Sequence, residues 1–241
     1  MQKDIKEKIL SHLIHYPKSS FTDLFDSNSD IQSNEFTYHL NKLIEEGFVE
    51  KDENKKYSLT VKGKHLESDL DGKTGKQRKK PFLALLLVVR RNGEYLLYHR
   101  LKEPFYDFYG LPGAKIDFFE EALDSAKREL FEETGLSGDC KIIAISNVRT
   151  KENDEPLSHF CQFVVLFDNP EGELIETSIE GEYRFAPISN FIKLDKENKL
   201  FPDIMIIIEK ANKFKGEISI LEMEITHNKT KFIDFKFKEI R

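Results

Sequence analysis

Apolar residues recur with two different periods along this chain, and the change of period divides it. Ile5, Ile9 and Leu13 repeat every four residues and predict one apolar face of a helix that Pro17 closes. Phe21, Leu24 and Phe25 predict a short second helix. Phe36, Leu40, Leu43 and Ile44 fall at i, i+4, i+7 and i+8, with Gly47 just past the expected helix end. FVEKDENKKYSLTV then reads as two short alternating strands around the polar turn Asp52 to Lys56.

Farther on, Phe82 to Arg90 and Glu94 to Arg100 read as strands joined at Asn92-Gly93, and their continuous apolar character predicts central places in a sheet. GAKIDFFEEALDSAKRELFEETGL reads as a loop and helix. Asp117 and Glu120 are expected to form its capping box, Gly135 to end it, and Ala122, Ala126 and Leu130 to form its apolar stripe. LFPDIMIIIEKANKF predicts a late helix, and ISILEMEIT with KFIDFKFKEI predicts two strands around His227-Asn228-Lys229. The apolar side of that hairpin (Ile218, Ile220, Phe232, Ile233, Phe235, Phe237) needs cover from its own domain or from a second subunit, so a homodimer is expected.

Charge sharpens the division. DGKTGKQRKK, residues 71–80, carries five basic groups and one acidic group inside a chain of formal net charge −6. Polar, glycine-containing and basic, it reads as a linker between a domain at 1–70 and a second at 81–241. Hydrophobic residues at 39% and charged residues at 33% describe a folded soluble chain rather than a disordered one. The apolar run Phe82 to Val89 is far short of the about 20 residues a membrane-spanning helix needs. The start, MQKDIKEKIL, has no uninterrupted apolar stretch, so no secretory signal is expected. Cys140 and Cys161 are too few for a disulfide framework or a four-cysteine zinc site; they are expected reduced, strand-borne and buried, in the cytoplasm, with no membrane partner.

In the first domain the order helix, helix, helix, hairpin is joined by local wording. FTYHLNKLIEEGFVEKDENKKYSLTVKGK resembles the recognition helix and wing of prokaryotic winged helix-turn-helix regulators, where T-Y-H-L-x-K-L-x-x-x-G precedes the wing and Y-x-L-T-x-x-G closes it. The resemblance implies double-stranded DNA as a partner. The exposed side of the third helix would offer Ser33, Asn34, Thr37, Tyr38, Asn41 and Lys42 to a groove, and Lys51, Lys55 and Lys56 in the wing would meet the backbone. Against this, the domain is net acidic, and nonspecific DNA affinity rests on phosphate neutralisation, so a protein-docking or dimerising module stays open. His39, beside the core positions, is expected to be structural or backbone-contacting rather than a metal ligand.

In the second domain Glu129, Glu132 and Glu133 fall at i, i+3 and i+4, so three carboxylates are expected to converge within one turn. Like charges that close repel, and a hard divalent cation such as magnesium removes the conflict; an ordinary solvated acidic face is the plain alternative. The stretch resembles the Nudix box, G-x5-E-x7-R-E-U-x-E-E-x-G-U with U a bulky aliphatic residue. Glu120, Arg128, Glu129, Leu130, Glu132, Glu133, Gly135 and Leu136 stand at the required spacing, and LPGAK precedes them like the family's L-P-G-G-K. Two positions depart: the box's opening glycine is Ala114, and the common glycine before Glu120 is Phe119. If position 114 needs a positive φ, alanine costs roughly 1 kcal/mol there, and Phe119 is expected to reshape the loop.

The resemblance covers about residues 81–215 and implies an α+β fold, an α/β/α sandwich with a mixed sheet. It implies a hydrolase that cleaves a diphosphate linkage in a nucleoside diphosphate derivative or a nucleoside triphosphate. Glu129, Glu132 and Glu133 would hold magnesium, with manganese as a substitute, and Glu132 or Glu133 would take part in catalysis. Arg128 would orient the glutamates, and Arg100 and Lys115 would steady substrate phosphates. Glu180 and Glu182 are candidates for a further carboxylate acting as general base. The first proline after the box, Pro156, lies farther along than an ADP-ribose-type enzyme leads one to expect. The rival reading is a transcription regulator whose Nudix-like domain senses a nucleotide or nucleotide sugar without turnover.

Overall fold

The structure, a computed structural model, describes residues 5–27, 31–68 and 79–240. The chain forms two compact units, residues 1–79 and 80–241. The expected linker lies almost wholly outside the described residues, since 71–78 are not among them.

The first unit runs α1 (Ile5–His15), α2 (Phe21–Asp26), α3 (Ser33–Glu45), a hairpin of β1 (Val49–Lys51) and β2 (Tyr57–Leu59), and α4 (Val61–Ser68). Ile9, Leu10, Leu13, Leu24, Phe36, Leu40 and Leu43 meet Val49, Tyr57 and Leu59 in one core, so the four-residue spacing of each helix does point inward. In the hairpin turn Asp52 Oδ1 accepts hydrogen bonds from the backbone of Asn54 and Lys56, both at 2.9 Å, as short aspartates do in turns. Helix α4 was not expected from the sequence. Thr60 begins it: its hydroxyl donates to the Gly47 carbonyl (2.7 Å) and accepts from Gly63 N–H (3.1 Å). A Cβ on Gly63 would sit 2.0 Å from the Phe48 carbonyl oxygen, so L-T-x-x-G is a packing rule that seats α4 on the hairpin.

The second unit is a nine-stranded mixed sheet between helices. Its strands are β3 (Phe82–Arg91), β4 (Glu94–Arg100), β5 (Tyr109–Gly110), β6 (Gly113–Lys115), β7 (Cys140–Glu152), β8 (Glu155–Asp168), β9 (Gly181–Ala186), β10 (Ser219–His227) and β11 (Phe232–Glu239). They lie in the order β11-β10-β7-β8-β3-β4-β5, with β6 also paired to β3 and β9 to β4. The β3–β8 and β7–β10 pairs are parallel and the others antiparallel.

The apolar run in β3 serves both faces. Leu85, Leu87 and Val89 pack with Ala126 and Leu130 of α5 (Ala122–Thr134), while Leu86 and Val88 pack with Phe191 of α6 (Ile188–Lys196) and Ile204 and Ile207 of α7 (Ile204–Lys213). Each such leucine contributes about 1.5–3 kcal/mol by leaving water. Among the described residues no helix is long and apolar enough to cross a membrane.

Three expectations need correction here. The capping box at Asp117 and Glu120 does not form: the cap residue of α5 is Glu121, with no side-chain bond, because the Glu120 carboxylate is held by Arg128 instead. The two cysteines are free and on strands, but half-buried rather than buried. The late hairpin covers only part of its expected apolar side: Phe232 is in the core and Phe235 packs against it. Leu221, Met223 and Ile225 join the core with Phe232, because β10 lengthens the main sheet beside β7, while Ile218, Ile220, Ile233 and Phe237 stay exposed.

Candidate functional site

Arg128 organises the polar side of α5. Its Nε and Nη2 donate to the two oxygens of Glu120, each at 2.8 Å, and its Nη1 donates to Glu129 Oε1 (2.7 Å) and Glu132 Oε2 (3.1 Å). Such fork-to-carboxylate geometry is the strong form of an ion pair, and it offsets the repulsion that the acidic spacing creates. Arg128's hydrogen bonds draw the Glu120 carboxyl down to about 2, and Glu120 and Glu129 in turn raise the guanidinium above its ordinary value.

Glu133 is held from another direction. Tyr183 on β9 donates its phenol hydrogen to Glu133 Oε2 at 2.8 Å. Its ring stacks on Tyr98 of β4 with centroids 5.0 Å apart and planes 19° from parallel, and Tyr98 donates to the Glu180 carbonyl at 2.9 Å. Burial pushes the Glu133 carboxyl up; the Tyr183 bond opposes that, and Glu180 and Glu129 add to it. Burial also raises both phenols, so each stays an O–H donor at neutral pH.

The three glutamates therefore share a helix turn without converging. Among the described residues no three metal-type side chains gather at one point. The sequence expected convergence, and the physical reason for the difference is the pair of competing holders, Arg128 for Glu129 and Glu132 and Tyr183 for Glu133.

The two outside carboxylates separate. Glu180 stands near enough to Glu133 to raise it and is ion-paired with Lys102. Glu182 alternates with Tyr183 along β9 and points to the opposite face of the sheet. There His99 Nδ1 lies 3.3 Å from Glu182 Oε2 and Nε2 lies 3.0 Å from Asp107 Oδ1, while the ring stacks on Tyr109 at 4.1 Å. Lys199 donates to Asp107 at 2.7 Å and helps hold its carboxyl below the usual range. A cleft of about 370 Å³ opens on this side, lined among others by His99, Tyr109, Glu182 and Arg184.

Arg100 donates to the carbonyls of Pro104 (2.5 Å) and Glu103 (3.3 Å), so its guanidinium fixes the aromatic loop rather than standing open. Lys115 is exposed, with its ammonium 4.6 Å above the Phe82 ring. The two departures from the box also separate. Ala114 lies in β6 paired with Leu85 and needs no positive φ, whereas Phe119 takes the left-handed region at φ 73° and is 97% exposed. Backbone strain therefore falls at Phe119, and its side chain projects into solvent.

Tyr98, Tyr183 and Lys102 escaped the sequence reading. Strand alternation carried the signal, since adjacent residues such as Glu182 and Tyr183 must face opposite ways.

In the first unit, Asn34, Tyr38 and Asn41 are exposed on α3 and Thr37 and Lys42 half-exposed, at helical spacing that makes one face. Thr37 donates to the Ser33 carbonyl at 2.8 Å, and Lys42 lies 3.4 Å from Glu45. In the wing-like turn Lys55 is exposed and Lys56 lies 3.9 Å from Asp23. His39 Nδ1 is buried without a hydrogen-bond partner among the described residues, and its ring meets Tyr38 edge-on with centroids 5.3 Å apart.

Known proteins fit this geometry. Residues 2–69 match a family described as a domain of unknown function (DUF7347), and residues 80–204 match the NUDIX domain. An ADP-ribose pyrophosphatase of Methanocaldococcus jannaschii is 28% identical over 126 residues, covering 52% of this chain and 73% of that protein. The crystal structure of the mutator MutT protein from Bacillus halodurans shares the fold with a TM-score of 0.52 at 18% identity, covering 65% of this chain and 97% of that one. With the box residues on one loop and helix against a mixed sheet, and the domain match spanning more than half of its length, the chain belongs to the Nudix hydrolase family.

Proposed function

We propose that the second unit hydrolyses a diphosphate linkage in a nucleoside diphosphate derivative with the help of a divalent cation, magnesium first. The observation that carries this reading is the Arg128-clamped carboxylate face of α5, with Glu133 desolvated beside Glu180. Its donor set suits magnesium: hard carboxylate oxygens, one of them at a cost that a cation would relieve. Glu129, Glu132 and Glu133 would hold it, Glu129 and Glu132 through the oxygens that Arg128 does not engage. When bound, the cation offsets charge on phosphoryl oxygens and lowers the pKa of bound water. Arg128 keeps the glutamates oriented, Glu180 is the outside carboxylate suited to accept a proton, and Lys115 is the more available phosphate contact, since Arg100 is engaged by its own loop.

ADP-ribose is the substrate to assay first, because the Methanocaldococcus relative is named for it. The position of Pro156 speaks for a broader choice, so nucleotide sugars, dinucleotides and nucleoside triphosphates belong beside it. A hydrolysis screen with and without magnesium tests the reading. Turnover of at least one nucleoside diphosphate derivative, abolished by chelation, is expected; no turnover across the panel sinks the enzyme reading in favour of a ligand sensor.

For the first unit the exposed face of α3 favours a second role, a winged helix-turn-helix that binds double-stranded DNA. Asn34, Thr37, Tyr38, Asn41 and Lys42 would address the groove, with Lys55 and Lys56 on phosphates. Exposed Ile218, Ile220, Ile233 and Phe237 support a homodimer, which paired half-sites would use. Selection from random duplexes at low salt that enriches no sequence would leave this unit as a protein-contact module.

A further inference from the structure

The family's box accounts for the glutamates of α5 but not for what holds Glu133 from across the sheet. That holder is built from two strands. Tyr98 on β4 and Tyr183 on β9 are register partners, their rings stack, and both are buried, at 8% and 2% exposure. The outer ends of the two rings do different things: Tyr183 donates to the Glu133 carboxylate, and Tyr98 donates to the backbone carbonyl of Glu180. One rigid aromatic pair thus joins a helix carboxylate to the loop that carries the outside carboxylate. The loop is seated closely, for a Cβ on Gly181 would come within 2.1 Å of the His99 carbonyl oxygen.

We infer that Tyr183 is a positioning residue that fixes the Glu133 carboxylate for cation binding, with Tyr98 setting the ring that carries it and tying in the Glu180 loop. The inference rests on the cation-dependent reading above. Its physical basis is that a carboxylate on a long, rotatable glutamate binds a cation better when one oxygen is already held. The Tyr183 hydrogen bond occupies Oε2 and leaves Oε1 for the cation, and outer partners of this kind set ligand orientation in metal sites generally. Of the three glutamates Glu133 is the one that Arg128 does not hold, so without Tyr183 it has no comparable anchor among the described residues.

The test uses the full chain and manganese as the probe, followed by its electron paramagnetic resonance signal, alongside turnover. Tyr183→Phe removes the hydroxyl and keeps the stacked ring. Manganese affinity is expected to fall about tenfold to a hundredfold, with thermal stability nearly unchanged and substrate KM less affected than kcat at limiting metal. In a Glu133→Gln background the same change is expected to do nothing further to manganese binding, because the hydroxyl acts through that carboxylate. Tyr98→Phe, which keeps the stack and the Glu133 bond, is expected to give a smaller loss. If the unaltered protein binds manganese and Tyr183→Phe binds it equally well, the positioning role is overturned while the enzyme reading survives. If Tyr183→Phe weakens binding equally in the presence and absence of the Glu133 carboxylate, its role is structural and the inference fails. If the unaltered protein binds no manganese, the cation-dependent reading and this inference fall together.

Discussion

Helices α3 and α5 are both 13 residues long, both bury an apolar stripe, and both are followed by a glycine at positive φ, Gly47 at 74° and Gly135 at 72°. Their polar faces differ. On α3 the side chains of Asn34, Tyr38 and Asn41 stand apart in solvent, Tyr38 with 64% of its surface open. On α5 the charged residues are cross-linked, with Arg128 bound to Glu120, Glu129 and Glu132. A face of the first kind contributes little to stability and is free to be shaped by a partner. A face of the second kind must be held together by the protein itself, because its charges repel. The difference teaches where mutation reads binding alone and where it reads a preassembled arrangement.

Of the changes that compare the two helix faces, breaking the clamp is expected to have the largest effect. Arg128→Ala leaves three carboxylates without their counter-charge, and turnover at limiting magnesium should fall about tenfold to a hundredfold or more. Tyr38→Ala on α3 should leave turnover alone and move stability by less than about 0.5 kcal/mol. Parallel kinetics and thermal melts check both, and equal effects from the two changes would erase the contrast.

The terminal glycines sharpen it next. A Cβ on Gly135 meets the Glu173 carbonyl oxygen at 2.7 Å, whereas one on Gly47 meets nothing within 4 Å. Gly47→Ala should cost about 1 kcal/mol from backbone strain alone, and Gly135→Ala about 2 kcal/mol or more. Denaturant titration that ranks them the other way would contradict the packing described here.

A carboxylate with no clamp gives the next comparison. Asp203 is buried at the start of α7, its Oδ1 has no partner among the described residues, and burial pushes its carboxyl up to about 6 from an ordinary 3.8. The folded value lies above the unfolded one, so the native state holds the proton more tightly. Stability is therefore lost as pH rises from about 4 to about 6 and stays reduced above that. Asp203→Asn should raise stability at pH 7 by about 3 kcal/mol, with the gain shrinking as pH drops towards 4. Melting curves across that range check the sign. A small stabilisation is expected at Phe119, exposed and left-handed beside the clamp. Phe119→Gly should stabilise by less than about 1 kcal/mol, because relief at positive φ exceeds the chain entropy that glycine adds.

Much of the architecture was legible because hydrophobic spacing is a direct record of burial. Phe36, Leu40 and Leu43 and the β3 run went where their periods pointed. Capping was read at the wrong place. Ser20 and Asp23 form a true capping box on α2, while Asp117 and Glu120 do not, because the same S/D-x-x-E/D spelling can be overruled by a stronger partner such as Arg128. Helix α4 was missed since VKGKHLES has a weak apolar pattern; what seats it is the Gly63 contact with Phe48, a close approach that no periodicity encodes. At the candidate site the box residues were readable from spacing. Tyr183 was not, because its partner Glu133 is 50 residues away and only the sheet brings them together.

The α5 carboxylates are proposed to work as a cation-dependent hydrolytic face. Initial rates of ADP-ribose hydrolysis, or of whichever nucleoside diphosphate derivative the screen selects, test it most directly when the original chain and Glu133→Gln are compared at saturating magnesium. Glu133→Gln keeps the side chain's shape and removes its charge. A fall of several orders of magnitude in kcat with an unchanged thermal melt is expected, whereas equal rates for the two chains would rule out the carboxylate's role.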